Sequence, residues 1–323
     1  MTAVWSFRNA KGSISRTDII LSVFSVIMWK RAHPEHTTKI YIDADYASLL
    51  ENLNLLEFWD EHKLLQSRTD IDLKKFWAIS KFEAIQNEEG PVIHVDGDLI
   101  AYTNLQTEGL FDGDLAVTLL EEIKDSEDIA YGNSEDVAEF GGIQRDMFDW
   151  DDYADQTSIS YWNNDEFKDE YLKYVFDYAV EVSKKDDSLD INPLAYILFI
   201  EQKFYRELAK ERGMVKNYLI SDAYKVSNGL IFPSEETNGI YPYSEVTDYV
   251  VHYGPGKREF DSDLEMALHL SQFIIPTIGE EYSPWFWNIY SQMAEDDIPI
   301  EESKPKKKKS FFNIFKSNRS ETN

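Results

Sequence analysis

The 323-residue chain is 43% hydrophobic and 14% aromatic, enough for one large domain or two smaller ones with a sizeable core. Its net charge of −28 is uneven: residues 304–323 carry +6, so residues 1–303 carry −34 and should repel nucleic acid phosphates. There is no cysteine, which excludes disulfides, thiolate zinc sites and cysteine nucleophiles and fits a reducing compartment.

In chain order, Ala3–Phe7 reads as a strand, and a polar loop through Gly12 leads to an apolar helix over about 15–32. Ile19–Trp29 is interrupted by Ser22 and Ser25 and is too short to span a bilayer. The N-terminus lacks the layout of a secretory signal, so a soluble cytoplasmic body is expected. Lys39–Ile42 is a second strand closed by Asp43, with a helix through Leu49, Leu50 and Leu53. Phe76–Ile85 has helical spacing, and Pro91–Val95 is again a strand. This alternation predicts an α/β fold with a mostly parallel sheet flanked by helices.

Residues 104–160 are acidic and weakly periodic, predicting irregular excursions or short antiparallel strands. Helices follow over about 165–184 and 193–212, giving a helical C-terminal part, with Gly213 as a stop. Short strands are expected at 218–220 and 249–251, and a last helix over about 263–278, with Trp285 and Trp287 beyond it. The basic segment 304–323 reads as a flexible tail. Its lysines adjoin Phe311, Phe312 and Phe315, a pattern suited to peripheral contact with anionic lipid at the inner membrane. A solubilising tail is the competing reading.

The tripeptide Asp-x-Asp occurs at Asp43/Asp45, Asp96/Asp98, Asp112/Asp114 and Asp261/Asp263. Turn and helix-cap roles account for the third and fourth pairs, and capping explains Asp45. Asp96/Asp98 differs, because apolar strand flanks it on both sides and Gly97 separates the acids. Two carboxylates at an open strand end suit Mg²⁺ or Mn²⁺, held jointly with phosphate oxygens. An acidic hairpin tip is the plainer alternative. No P-loop, G-x-S-x-G or H-E-x-x-H motif is present.

With Ala3-Val4-Trp5-Ser6-Phe7, Tyr41-Ile42-Asp43, Trp77-Ala78-Ile79-Ser80-Lys81 and His94-Val95-Asp96-Gly97-Asp98, the chain resembles the GT-A glycosyltransferases, the nucleotide-diphospho-sugar transferases. It is closest to an uncharacterised bacterial family of that superfamily, chiefly over residues 1–105. The resemblance implies a GT-A-like domain over 1–303, with a nucleotide-binding half (1–105), an acceptor half (106–303) and the tail (304–323). It implies Asp96 and Asp98 as ligands of Mn²⁺ or Mg²⁺ bridging the diphosphate, Asp43 near the nucleoside and Lys81 near the diphosphate. His252 and Lys257, in the segment VVHYGPGK, approximate a pattern of glycogenin-like enzymes in which the histidine completes the metal shell and the lysine meets diphosphate. Glu201 and Gln202 fall where relatives carry an acceptor-side pair, and Asn163 where they carry an asparagine before two glycines that this chain lacks. The implied function is metal-dependent transfer of a sugar from a nucleotide-diphosphate donor to a glycan, lipid or protein acceptor, with no catalytic base identifiable. The alternative is a sugar-nucleotide-binding or scaffolding protein without turnover.

Overall fold

The computed structural model describes residues 1–10, 14–123, 134–148, 150–185, 194–227, 230–231, 245–246, 250–252, 271, 274–277, 279 and 283–292. The first half alternates as expected: β1 (Thr2–Phe7), α1 (Arg16–Ala32), β2 (Thr37–Ile42), α2 (Ala44–Asn52), β3 (Glu61–Leu64), α3 (Ile79–Gln86), β4 (Val92–Val95) and β5 (Leu99–Ala101). Then come β6 (Leu115–Glu122), α4 (Ser134–Phe140), β7 (Tyr153–Trp162) and α5 (Asp165–Ser183). Next is a helical run made of α6 (Leu194–Leu198), a π turn (Phe199–Lys203) and α7 (Phe204–Glu211). The remaining elements are β8 (Lys216–Ser227), β9 (Leu230–Ile231), β10 (Glu245–Val246), β11 (Val250–His252) and α8 (Ser283–Gln292).

The main sheet has the order β3-β2-β1-β4-β7-β6-β8-β9, and β10-β11-β5 forms a small second sheet. β1, β2, β3 and β4 are parallel, β7 runs antiparallel to both β4 and β6, and β6 pairs in parallel with β8. The α/β class with a mostly parallel, helix-flanked sheet is therefore the class expected. One buried apolar cluster joins Trp5, Ile93 and Ile159 to α1, α2 and α8; the other joins Val4, Val92 and Trp162 to α3, α5, α6 and α7.

α1 is apolar on all sides because it is covered on all sides: every residue from Ile19 to Trp29 is buried. Its two serines are satisfied inside. Ser22 donates to the carbonyl of Ile19, Trp5 Nε1 donates to Ser25 Oγ at 3.0 Å, and Ser25 donates to the carbonyl of Leu99 at 2.6 Å. That chain fastens β1, α1 and the start of β5 together.

Three expectations need correction. Residues 104–160 hold two long strands of the main sheet, β6 and β7. Their irregular look comes from polar residues, Asp155 to Ser158, that are buried within β7. The helix expected from Phe76 begins at Ile79. Trp285 and Trp287, placed beyond the last helix, lie on α8. Of the helix expected over 263–278, residues 271 and 274–277 are described and helical; the rest, with Asp261, Asp263 and the tail, lies outside the described residues.

Candidate functional site

Chain connections leave β1 toward β2 and β3 on one side and toward β4 on the other, so the strand order reverses between β1 and β4. In open α/β sheets, the crevice outside the carboxyl ends of the strands at such a reversal is where ligands bind. Here those ends are Phe7-Arg8-Asn9 after β1 and Asp96-Gly97-Asp98 after β4. The topology puts the Asp-x-Asp turn at that crevice.

Asp96 to Leu99 form a tight turn closed by the Leu99 N–H donating to the Asp96 carbonyl at 3.1 Å, and the Asp96 N–H donates to the Ser158 carbonyl at 2.8 Å. Glycine is needed at 97 for contact rather than for dihedral freedom. A Cβ there would meet the Phe7 ring at 2.5 and 2.8 Å, and Gly97 is not among the glycines with positive φ.

The Asp96 carboxylate leads into a line of polar side chains on the α3 face of the sheet. Lys81 Nζ lies 3.1 Å from Asp96 Oδ1, pairs closely with Glu201, and donates to the Thr157 carbonyl at 2.8 Å. Glu201 also accepts from the Thr157 hydroxyl at 2.9 Å. On the other side, His94 Nδ1 is 3.6 Å from Asp96 Oδ1, and Nε2 shares a 3.0 Å hydrogen bond with Ser6 Oγ. Burial alone would lower the Lys81 ammonium, but Asp96 and Glu201 together hold it above its ordinary value. Burial, and then the charge of Lys81, push His94 well below its ordinary value, so the ring is neutral. Ser6, His94 and Asp96 stand in the order of a hydrolytic triad, but His94 is 2% exposed and Ser6 lies within a central strand, so a buried structural contact explains them.

Two irregularities of the backbone aim these groups. Between Val117 and Leu119 of β6 the register on β7 jumps from Ser160 to Gln156, a bulge centred on Thr157–Ile159. The helix opposite winds as a π turn over Phe199–Lys203, which carries Glu201, and the Tyr171 hydroxyl takes the carbonyl of Ile200. Thr157 and Glu201 meet where the two irregular segments face each other.

On the β1 side, Arg8 pairs with Glu83 at 2.5 Å and donates to the Gln66 carbonyl at 3.0 Å, while its buried Nε has no partner among the described residues. Burial pushes the Glu83 carboxyl up against the pull of Arg8. Asp43 caps α2 through the Tyr46 N–H at 3.0 Å and accepts from the Asn9 N–H at 2.6 Å. Both of its oxygens are thus engaged by backbone at the crevice rim.

The structure brings together four of the residues singled out in the sequence: Lys81, Asp96, Asp98 and Glu201. His252 arrives by register, its backbone opposite Leu99 in the β11–β5 pair. Antiparallel partners stand about 5 Å apart, which puts its Cα within about 9 Å of that of Asp98. Lys257 lies outside the described residues. Glu201 faces inward, to Lys81 and Thr157, and Gln202 is its half-buried neighbour on the π turn. Asn163 is not brought to the cluster. It follows Trp162, which pairs with Val92 at the far end of β4, about 13 Å along the strand from Asp96. The sequence reading gave no role to Thr157, His94 or Ser6; the last two lie in segments that carry the resemblance, whereas Thr157 lies in none.

Mg²⁺ and Mn²⁺ are commonly held by one or two carboxylates plus phosphate oxygens. Asp96, with a side chain 30% exposed, and the half-buried Asp98 fit that donor set at the crevice. Among the described residues no group of three or more His, Cys, Asp or Glu stands together as a complete metal cage. None of the described helices is long and apolar enough to cross a membrane.

No protein-family model and no curated protein matches the chain. Among solved structures it is similar to a galactosyltransferase, LgtC, in complex with donor and acceptor sugar analogs, at 12% identity and a TM-score of 0.43, covering 93% of this chain and 98% of that one. It is also similar to 4-diphosphocytidyl-2C-methyl-D-erythritol synthase from Anaerococcus prevotii, at 12% identity and a TM-score of 0.37, covering 73% and 93%. A third is mouse xyloside xylosyltransferase 1, at 11% identity and a TM-score of 0.36, covering 68% and 85%. These likenesses are loose, and the strand order itself defines the fold.

Proposed function

We propose that the chain binds a nucleotide-diphospho-sugar in the β1/β4 crevice and transfers the sugar, with a divalent cation, Mn²⁺ or Mg²⁺, held by Asp96 and Asp98. The observation that carries this reading is the coincidence of the Asp-Gly-Asp turn with the point where the strand order reverses. A cation held there with the diphosphate supplies Lewis-acid stabilisation of charge on the leaving group. The chain's own contributions are positional. Asp96 is oriented by Lys81 and by its N–H bond to Ser158; Arg8, Asn9 and Asp43 line the β1 rim where the nucleoside would rest. His252, whose backbone pairs with Leu99, is the candidate imidazole ligand, and Lys257 is the candidate phosphate contact.

Calorimetric titration with uridine and guanosine diphosphates, with and without Mn²⁺, tests the binding step. Metal-dependent binding that disappears in the D96N/D98N variant supports the reading, and metal-independent or absent binding removes it.

One observation favours a second reading, a sugar-nucleotide-binding protein without turnover. Glu201 is engaged by Lys81 and Thr157, and Asn163 sits at the opposite strand end, so neither is offered to an acceptor. Release of sugar from a panel of sugar nucleotides separates the two. The basic tail adds a membrane contact to either reading, tested by sedimentation with anionic vesicles of the full chain against one ending at Ser303.

A further inference from the structure

Donor binding, as proposed, leaves one buried contact without a purpose. Lys81 is 3% exposed and Glu201 7%, yet the pair does not close on itself. It continues to Asp96, whose side chain is 30% exposed at the crevice. An ammonium 3.1 Å from a carboxylate competes with any other cation for the same oxygens, and the competition is strongest away from water. Left uncompensated, Lys81 would oppose a divalent ion at the Asp-Gly-Asp turn.

Glu201 removes that opposition. It pairs with the same Lys81 ammonium that meets Asp96, and it is fixed there by the Thr157 hydroxyl at 2.9 Å. The π turn and the β7 bulge bring these two groups into contact, and Lys81 also donates to the Thr157 carbonyl. Lys81 therefore has three oxygen partners besides Asp96, counting the Thr157 hydroxyl at 3.3 Å.

We propose that Glu201 is a positioning residue acting through Lys81: it holds and neutralises the ammonium so that Asp96 stays available to a divalent cation. The inference rests on the reading that Asp96 and Asp98 bind that cation with a diphosphate. It assigns Glu201 to the donor side rather than the acceptor side.

The test is Mn²⁺ affinity in the presence of UDP, read from the electron paramagnetic resonance signal of free Mn²⁺ in the full chain, with the melting temperature recorded for each variant. E201Q keeps the shape but leaves the ammonium uncompensated, and Mn²⁺ affinity should fall roughly 10- to 100-fold, the range for a residue that orients a metal ligand. K81M/E201Q removes the opposing charge as well and should regain most of that loss. A purely structural pair would lower the melting temperature in both variants and leave Mn²⁺ affinity alone. Wild-type affinity in E201Q, or a double variant no better than E201Q, overturns the proposal. Failure of the wild type to bind Mn²⁺ with UDP overturns the underlying reading instead. Should E201Q not fold, T157V removes one hydrogen bond from Glu201 and should weaken Mn²⁺ several-fold; unchanged affinity there also counts against the idea.

Discussion

Two buried charge clusters hang from β7 and the helical run opposite it, one around Lys81 and one around Lys203, and they end differently. Lys203 donates to the Asp151 and Tyr153 carbonyls at 2.5 and 2.8 Å, to Asp151 Oδ1 at 3.2 Å and to Glu207 at 2.6 Å. Arg206 grips Asp151, and Asp155, with no exposed surface, is shared by Lys216, Tyr218 and Arg206. Against the burial that would raise it, Arg206 and Lys203 hold the Asp151 carboxyl below the usual carboxylate range. Each charge there is answered by a protein partner, down to the part-exposed Asp151, which Lys203, Arg206 and Lys210 all meet. The Lys81 cluster uses the same chemistry but ends on a carboxylate that is part exposed at the crevice. On the function proposed above, the difference separates charge that specifies packing from charge that is held ready for a ligand.

Removing Asp155 should give the largest effect on stability. D155N leaves Lys216, Arg206 and the Tyr218 hydroxyl short of a buried anion, at a cost of about 3–5 kcal/mol. Chemical denaturation measures this, and binding of UDP with Mn²⁺ should stay within about twofold of wild type. Equal damage to both would erase the distinction between the clusters.

The converse variant is D96N/D98N. Its denaturation midpoint should fall less than that of D155N, because Lys81 keeps Glu201, while Mn²⁺-dependent affinity for UDP falls by about 100-fold, close to 3 kcal/mol. Calorimetry decides, and a large loss of stability without a loss of affinity would reverse the roles assigned here.

A third pair of titratable groups sharpens the contrast from outside both clusters. His33 and His36 stack with centroids 5.0 Å apart beside Trp29, and His33 accepts from the Leu105 N–H at 2.9 Å. Burial lowers each to about 4; His36 adds to the effect on His33 and the N-terminal ammonium to that on His36, with Glu35 opposing both. Because the folded values lie below the unfolded one near 6.5, the unfolded chain takes up protons first as pH falls. Stability is therefore complete above pH 6.5 and declines toward pH 4. Counting about half of the full effect for screening by solvent, the pair costs about 2 kcal/mol at pH 5. Urea midpoints at pH 7.5 and 5 test this, and the drop should shrink in H33Q/H36Q.

The smallest effect is expected for G97A. The new methyl group must displace the tip of the half-buried Phe7 ring, at about 1 kcal/mol, and should weaken UDP binding a few-fold. A calorimetric titration indistinguishable from wild type would show that the turn tolerates a side chain.

The sequence discloses these regions unequally. Asp96 and Asp98 stand out because apolar strands bracket them, and the parallel half follows from plain alternation of strand and helix. β3 was hidden: Glu61-His62-Lys63-Leu64 is exposed at every position on a sheet edge, so no burial pattern marks it. β7 was hidden for the opposite reason, since Asp155, Gln156, Thr157 and Ser158 are buried polar residues that look like loop. The distance of Asn163 from Asp96 was not legible because, with β7 unrecognised, nothing told which end of the strand it occupied. Thr157 and the inward turn of Glu201 depend on a bulge and a π turn, and such departures from regular geometry follow from tertiary contacts rather than from local preference. Lys81 and Glu201 were legible one at a time; their contact across 120 residues was not.

The pairing of β11 with β5 has a consequence for how the protein is made. Ala101 leaves the ribosome long before Val250, the residue it pairs with. At ordinary elongation rates the interval is roughly 10–30 s, ample time for the β1–β4 half to collapse onto α1 and α3. Through that interval the strand following Asp98 has an unpaired edge, open to β-strands of other nascent chains. Synthesis of residues 250–252 pairs this edge and brings the backbone of His252 beside Leu99 in the same event; until then the shortness of the three-residue strand limits its use as a template.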